Sequence, residues 1–224
     1  MRPQLFLRKT TYLFMIAVFG MIIISCNKST EKYPNIVYIL ADDMGYGDVS
    51  ALNENSKIQT KYIDQLAKEG ISFTDAHSGS SVCTPTRYGI LTGRYSWRSI
   101  LKKGVTWSYD KHVINPDRMT VASMLKSKGY KTGAVGKWHL GLDWDKDESG
   151  IVNLKGPIKN GPNELGFEYF YGIAASLDIP PYVYIQNDYA TATEIDTIEK
   201  MMVWVFGEED RLAMILSTRT SCLN

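Results

Sequence analysis

Apolar and polar positions change rhythm several times along this chain, and each change predicts an element. After Arg2, Arg8 and Lys9, residues Tyr12 to Ile24 form an apolar run. That run is short for a membrane span and suits the hydrophobic region of an export signal. The polar stretch NKSTEKYP, Asn27 to Pro34, then reads as a tether. Next, NIVYILADD opens with near-continuous apolar positions, the pattern of a strand buried on both faces, and ends at Asp42 and Asp43 before the turn MGYGD. In TKYIDQLAKE the spacing of Ile63, Leu66 and Ala67 predicts a helix, with Thr60 as N-cap and Gly70 as stop. ISFTDAHS predicts a strand, and the small-residue loop SGSSV delivers Cys83. A helix is expected through Arg87 to Leu91, ending near Gly93, and a second over Met119 to Lys128, ending at Gly129. YKTGAVG predicts a strand that runs into KWHLG, and residues 150–190, rich in Gly, Pro, Tyr and Asn, read as loops and short strands.

Strand–helix–strand alternation of this kind predicts an α/β fold with a largely parallel central sheet flanked by helices. Ligands of such sheets bind beyond the carboxyl ends of the strands. Asp42/Asp43, Cys83 and Lys137/His139 all fall there in the expected layout.

Charge narrows the partners. The 224 residues carry 25 Lys and Arg against 24 Asp and Glu, a net charge of +1. Such a total gives no sign of a nucleic-acid or other polyanion partner. Cysteines narrow the compartment. Ile23-Ile24-Ser25-Cys26 resembles the bacterial lipobox, in which the cysteine is lipidated and becomes the mature N-terminus. The expectation is a signal peptide over 1–26, a tether over 27–34, and an exported protein of the bacterial cell envelope, lipid-anchored or periplasmic. Cys83 and Cys222 remain, too few for a disulfide framework, although an oxidising compartment leaves a Cys83–Cys222 pair open.

Three groups carry candidate chemistry. Adjacent carboxylates at a strand end repel one another and are relieved by a cation, and hard oxygen donors select Ca²⁺ or Mg²⁺; Asp42-Asp43 also suits an ordinary turn. Lys137 and His139 alternate with Trp138, so an extended backbone would point them the same way, the lysine toward an anion and the histidine toward proton transfer to a leaving group. Cys83 precedes Pro85, whose fixed φ and missing N–H suit a first helical turn. Residue 83 would then sit at the positive end of that helix, with Arg87 one turn on as an anion grip.

Cys83-Thr84-Pro85-Thr86-Arg87 matches the C-x-P-x-R motif of the sulfatases, and Thr92-Gly93-Arg94 continues the longer signature. NIVYILADDMGYGD, GKWHLG and GFEYFYGIAASLD resemble further blocks of that family in the family's order. The chain therefore resembles the N-terminal part of a type I, arylsulfatase-like sulfatase, over about residues 35–199, with an alkaline-phosphatase-like fold. The resemblance implies that Cys83 is converted to formylglycine by a maturation enzyme, and that one hydroxyl of the hydrate attacks sulfur while the other later expels sulfate. It implies Asp42, Asp43 and residue 83 as Ca²⁺ ligands and Arg87 as the holder of the hydrate. Lys137 and His139 would contact hydrate and sulfate, and Ser176 the sulfate. The implied substrate is a sulfated small molecule or carbohydrate. A phosphatase of the same superfamily would carry Ser or Thr at position 83, and a non-catalytic envelope lipoprotein would not need the cysteine.

The family's second half brings another pair of metal ligands, a further His and Lys at the sulfate, and a small subdomain; no counterpart occurs in these 224 residues. Residues 200–224 change character, and a shifted reading frame near Lys200 would restore a polar, glycine-containing continuation. The chain as it stands is expected to be weakly active or inactive.

Overall fold

The computed structural model describes residues 33–192, 194 and 195, together with the backbone of strands at 201–206 and 212–217. The expected export signal, Cys26 and Cys222 lie outside the described residues. The chain divides into two units, Met1–Gly45 and Tyr46–Asn224.

In the first unit, residues 33–40 form neither helix nor strand, and Asp42-Asp43 form a turn. Ile36, Val37, Tyr38 and Ile39 are all exposed. The strand expected over NIVYIL is therefore not formed. Apolar residues alone do not make a strand; the backbone also needs a ladder partner, and no strand pairing includes these positions among the described residues. The same reason applies in the second unit to ISFTDAHS, where Ile71 and Phe73 are exposed and no strand forms.

The helices of the second unit follow their punctuation. Helix α1 spans Lys61–Glu69, with Thr60 as its N-cap residue and the Gly70 N–H bonded to the Leu66 carbonyl at 2.9 Å. The Thr60 hydroxyl turns to Asp64 Oδ1 (2.7 Å) rather than to a helix amide. Helix α2 spans Cys83–Thr92, a full turn longer at its start than the apolar pattern predicts. It stops at Gly93, whose φ of 65° is left-handed and open to glycine at little cost. Helix α3 spans Val121–Ser127 and opens with a reciprocal box: Thr120 Oγ1 accepts from the Ser123 N–H, and the Thr120 N–H donates to Ser123 Oγ.

Strand β1 (Gly133–Lys137) pairs in parallel with β2 (Tyr169–Ile173), which pairs antiparallel with β3 (Tyr184–Gln186), which in turn pairs antiparallel with β4 (Tyr189–Ala190). The α/β class holds, and the described sheet is mixed: β1–β2 is its parallel pair. A separate antiparallel ribbon joins β5 (Met201–Phe206) and β6 (Leu212–Ser217). One face of the four-stranded sheet, with Phe170 and Ile185, packs into a core of Trp138, Leu140, Leu142 and Val183, to which α2 contributes Tyr88. Trp138 lies edge-on to Phe167 and Phe170 and donates its indole N–H to the Gly141 carbonyl at 3.1 Å. This is the apolar anchor that places the chain leaving β1.

Gly172 on β2 sits opposite Gly136 on β1, and a methyl group at 172 would collide with the Gly136 carbonyl. Gly172→Ala is expected to lower the unfolding free energy by about 1–3 kcal/mol, read by denaturant titration.

Candidate active site

The site is assembled where α2 begins and where β1 and β2 end. Residues 83 and 84 occupy the first turn of α2, whose early N–H groups have no partner four residues back, and Pro85 has no N–H to satisfy. The turn thus offers a positive backbone end at Cys83, which is a free thiol and half-buried. The loop before it is tied down: Thr86 Oγ1 donates to the Ser80 carbonyl at 2.8 Å, as does Ser78 Oγ at 2.6 Å.

Two side chains of α2 fasten the helix to the end of β1. Thr84, fully buried, donates from Oγ1 to the His139 carbonyl at 2.7 Å and accepts from the Thr106 N–H at 3.2 Å. Arg87, three residues on and therefore on the same helical face, donates from Nη1 to the Lys137 carbonyl at 2.5 Å. One of Arg87's five donors is thus committed to protein backbone as well as to any anion at residue 83.

His139 departs from the extended backbone expected of it. Its φ is 57°, in the left-handed region, so the strand alternation of Lys137, Trp138 and His139 ends before the histidine. The ring is buried. Its Nε2 lies 2.9 Å from the Thr106 carbonyl, and because a carbonyl only accepts, Nε2 carries the proton. In the neutral ring Nδ1 is then an acceptor, and Ser176 Oγ stands 3.4 Å from it. Burial lowers the affinity of this imidazole for a second proton. The bond to the Thr106 carbonyl and the charge of Asp178 oppose that, while the charges of Lys137 and Arg87 add to it, and the pKa falls below its usual value. A neutral His139 held this way accepts a hydrogen bond from Ser176; proton donation to a leaving group would require it to give up its bond to Thr106.

Cys83, Arg87, Lys137, His139 and Ser176 therefore belong to one connected set. Ser176 enters it from the chain beyond β2, after the buried pair Ala174-Ala175. Thr84, Thr106 and Asp178 were not signalled by the sequence. Thr84 lies inside the C-T-P-T-R motif and reads as spacer, and Thr106 gains its role only because the fold brings residues 106 and 139 together. Asp42 and Asp43, exposed in their turn, belong to the first unit. They supply oxygen donors of the kind a hard divalent cation takes, but two carboxylates fall short of the six or more oxygens calcium prefers. Among the described residues no group of three or more His, Cys, Asp and Glu is placed to hold a metal ion. The donors described here do not complete a calcium site.

Comparison with known proteins bears on the family and the fold. The family model described as Sulfatase matches residues 34–211. The chain is 36% identical over 198 residues to an N-acetylgalactosamine-6-O-sulfatase of Bacteroides thetaiotaomicron, covering 83% of this chain and 38% of that protein. It is 38% identical over 150 residues to arylsulfatase H of Homo sapiens, covering 64% of this chain and 25% of that protein. A solved structure from work on metabolism of multiple glycosaminoglycans by Bacteroides thetaiotaomicron matches with a TM-score of 0.66 at 38% identity, over 79% of this chain and 37% of that one. A second, described as Ps i-CgsB, matches with a TM-score of 0.52 at 34% identity, over 65% and 29%. The chain spans well under half the length of these relatives.

The lowered pKa of His139 has a signed consequence. A group that binds its proton less well in the folded state stabilises the fold above its unfolded pKa, and that contribution is lost as pH falls below it. Thermal melts from about pH 7.5 down to about pH 5 should show stability decreasing, and His139→Gln should flatten that part of the profile.

Proposed function

The chain belongs to the sulfatase family, and from that premise we propose that the protein hydrolyses sulfate monoesters with a nucleophile made from Cys83. The observation that carries the proposal is the position of Cys83 in the first turn of α2, fastened by Thr84 and Arg87 to the carbonyls of His139 and Lys137. When Cys83 is converted to formylglycine, the hydrate supplies one hydroxyl to attack sulfur and a second to release sulfate.

The chain's own residues prepare that position. The start of α2 presents backbone N–H groups and the positive end of a helix dipole to an anionic ester. Arg87 and Lys137 add positive charge, which is felt at the His139 ring. Ser176 Oγ, 3.4 Å from His139 Nδ1, stands on the β2 side, and its single O–H would turn from the ring to donate to a sulfate oxygen. The metal expected of the family, Ca²⁺ with Mg²⁺ as the alternative, would take Asp42 and Asp43 as ligands and needs further oxygens.

A sulfated carbohydrate is the substrate class best supported. One relative is a sulfatase of N-acetylgalactosamine 6-O-sulfate by its printed name. The basic leader and the lipobox-like Cys26 support export to the bacterial envelope, lipid-anchored or periplasmic. The partners that follow are a formylglycine-generating maturation enzyme and, through the lipid, a membrane.

Co-expression with a maturation enzyme followed by mass spectrometry of the Cys83 peptide tests the proposal. The expected result is a mass lowered by the difference between a CH₂SH and a CHO side chain, with reactivity toward a hydrazide probe. A thiol left intact under conditions that convert a control sulfatase would contradict it.

A further inference from the structure

The near-neutral total charge hides a local excess. Between Asp75 and Asp110 the chain has no Asp or Glu, yet it carries Arg87, Arg94, Arg98, Lys102 and Lys103. Four of these cations fall within Arg94–Lys103, in the stretch RYSWRSILKK, where two aromatic residues are interleaved with them. In a chain with 25 basic and 24 acidic residues, such an acid-free run concentrates positive potential in one place.

The aromatic pair is built and exposed. The Tyr95 and Trp97 rings stack with centroids 5.7 Å apart and planes 12° from parallel. They are 58% and 59% exposed, so neither ring is spent on the core. A 3₁₀ turn at Ser96–Arg98 holds them: the Arg98 N–H donates to the Tyr95 carbonyl at 3.1 Å, and the Ser99 N–H to the Ser96 carbonyl at 2.8 Å. Lys102 Nζ donates to the Trp97 carbonyl at 3.1 Å, which sets its ammonium beside the stacked pair. A rigid aromatic surface with neighbouring cations loses little freedom on binding.

The pair also adjoins the approach to the nucleophile. A Cβ placed on Gly79 would stand 3.8 Å from the Tyr95 ring, so the loop that runs from Gly79 to Cys83 lies against Tyr95. A ligand lying on the two rings would thus sit beside the chain segment that carries residue 83.

We propose that Arg94–Lys103 is a subsite for a sulfated polysaccharide, in which the Trp97 ring, backed by the stacked Tyr95 ring, takes the apolar face of a sugar and Arg98, Lys102 and Lys103 take sulfate groups along the chain. This rests on the sulfatase reading for the identity of the anion, and it extends that reading from a single sulfate ester to a polymer that carries several. The subsite holds the polymer by sulfates other than the one cleaved. Binding is expected to weaken as salt is raised, because neutralising a polyanion releases its counterions.

The test is a tryptophan-fluorescence titration of the full chain with dextran sulfate, unsulfated dextran and single-stranded DNA. Dextran sulfate is expected to bind and unsulfated dextran not to. Trp97→Ala should weaken binding on the order of tenfold, while Trp97→Phe, which keeps a stacking ring, should retain it. The triple substitution Arg98→Gln, Lys102→Gln and Lys103→Gln should abolish it. Binding is read on the chain expressed without a maturation enzyme, so a failure of Cys83 conversion and a failure of this subsite are read separately. The proposal is overturned if single-stranded DNA binds as tightly as dextran sulfate, or if Trp97→Ala has no effect in a chain whose melting is unaltered.

Discussion

Two backbone carbonyls, those of Lys137 and His139, set the geometry on which the rest of the site depends. Each is gripped by a side chain from the first turns of α2, Arg87 for the first and Thr84 for the second. The Thr84 bond is not replaceable by water at low cost, since Thr84 is fully buried and an unmet polar group there would bear its whole desolvation penalty. The grip works because residues three apart on a helix share a face while the chain leaving β1 offers carbonyls two residues apart. It fixes the start of α2, and so the residue at position 83, against the carboxyl end of a parallel strand pair.

The core supplies the other half of the constraint. Trp138 stands between the two gripped residues, packed on Phe167 and Phe170 and bonded through its indole to the Gly141 carbonyl. An apolar anchor flanked by two polar neighbours gives the segment a defined rotation. His139 then takes a left-handed backbone conformation that places its ring among Thr106, Ser176 and the charges of Lys137 and Arg87. Buried and neutral, it serves as a fixed acceptor that orients the Ser176 hydroxyl. The positive charge at this end of the sheet comes from Arg87, Lys137 and the helix start.

Much of this was legible in the sequence, and the limits have physical causes. Thr60, Gly70, Gly93 and Gly129 marked the helix ends because caps and left-handed positions depend on local backbone geometry. β1, read from YKTGAVG, formed because β2 lies beside it as a parallel partner. The strands read from NIVYIL and ISFTDAHS were not formed, because strand identity is decided by a lateral partner that no single segment encodes. The mixed pairing of β2, β3 and β4 escaped for that reason too. At the candidate site, C-T-P-T-R pointed to Cys83 and Arg87 and GKWHLG to Lys137 and His139, and α2 meets the chain leaving β1 through the Lys137 and His139 carbonyls. Thr106 was invisible, since its value to His139 arises from a contact across 33 residues of sequence. Net charge misled in the opposite direction: a balanced total concealed the acid-free run between Asp75 and Asp110.

The central claim is that the Thr84 hydroxyl, by bonding the His139 carbonyl and the Thr106 amide together, holds the start of α2 in place. Native-state hydrogen exchange at the Thr106 amide in Thr84→Val, combined with denaturant unfolding, measures this directly. The predicted result is faster exchange at Thr106 and a loss of about 1–3 kcal/mol in stability, because the substitution keeps the shape and strips both hydrogen bonds. Unchanged exchange and unchanged stability would contradict it.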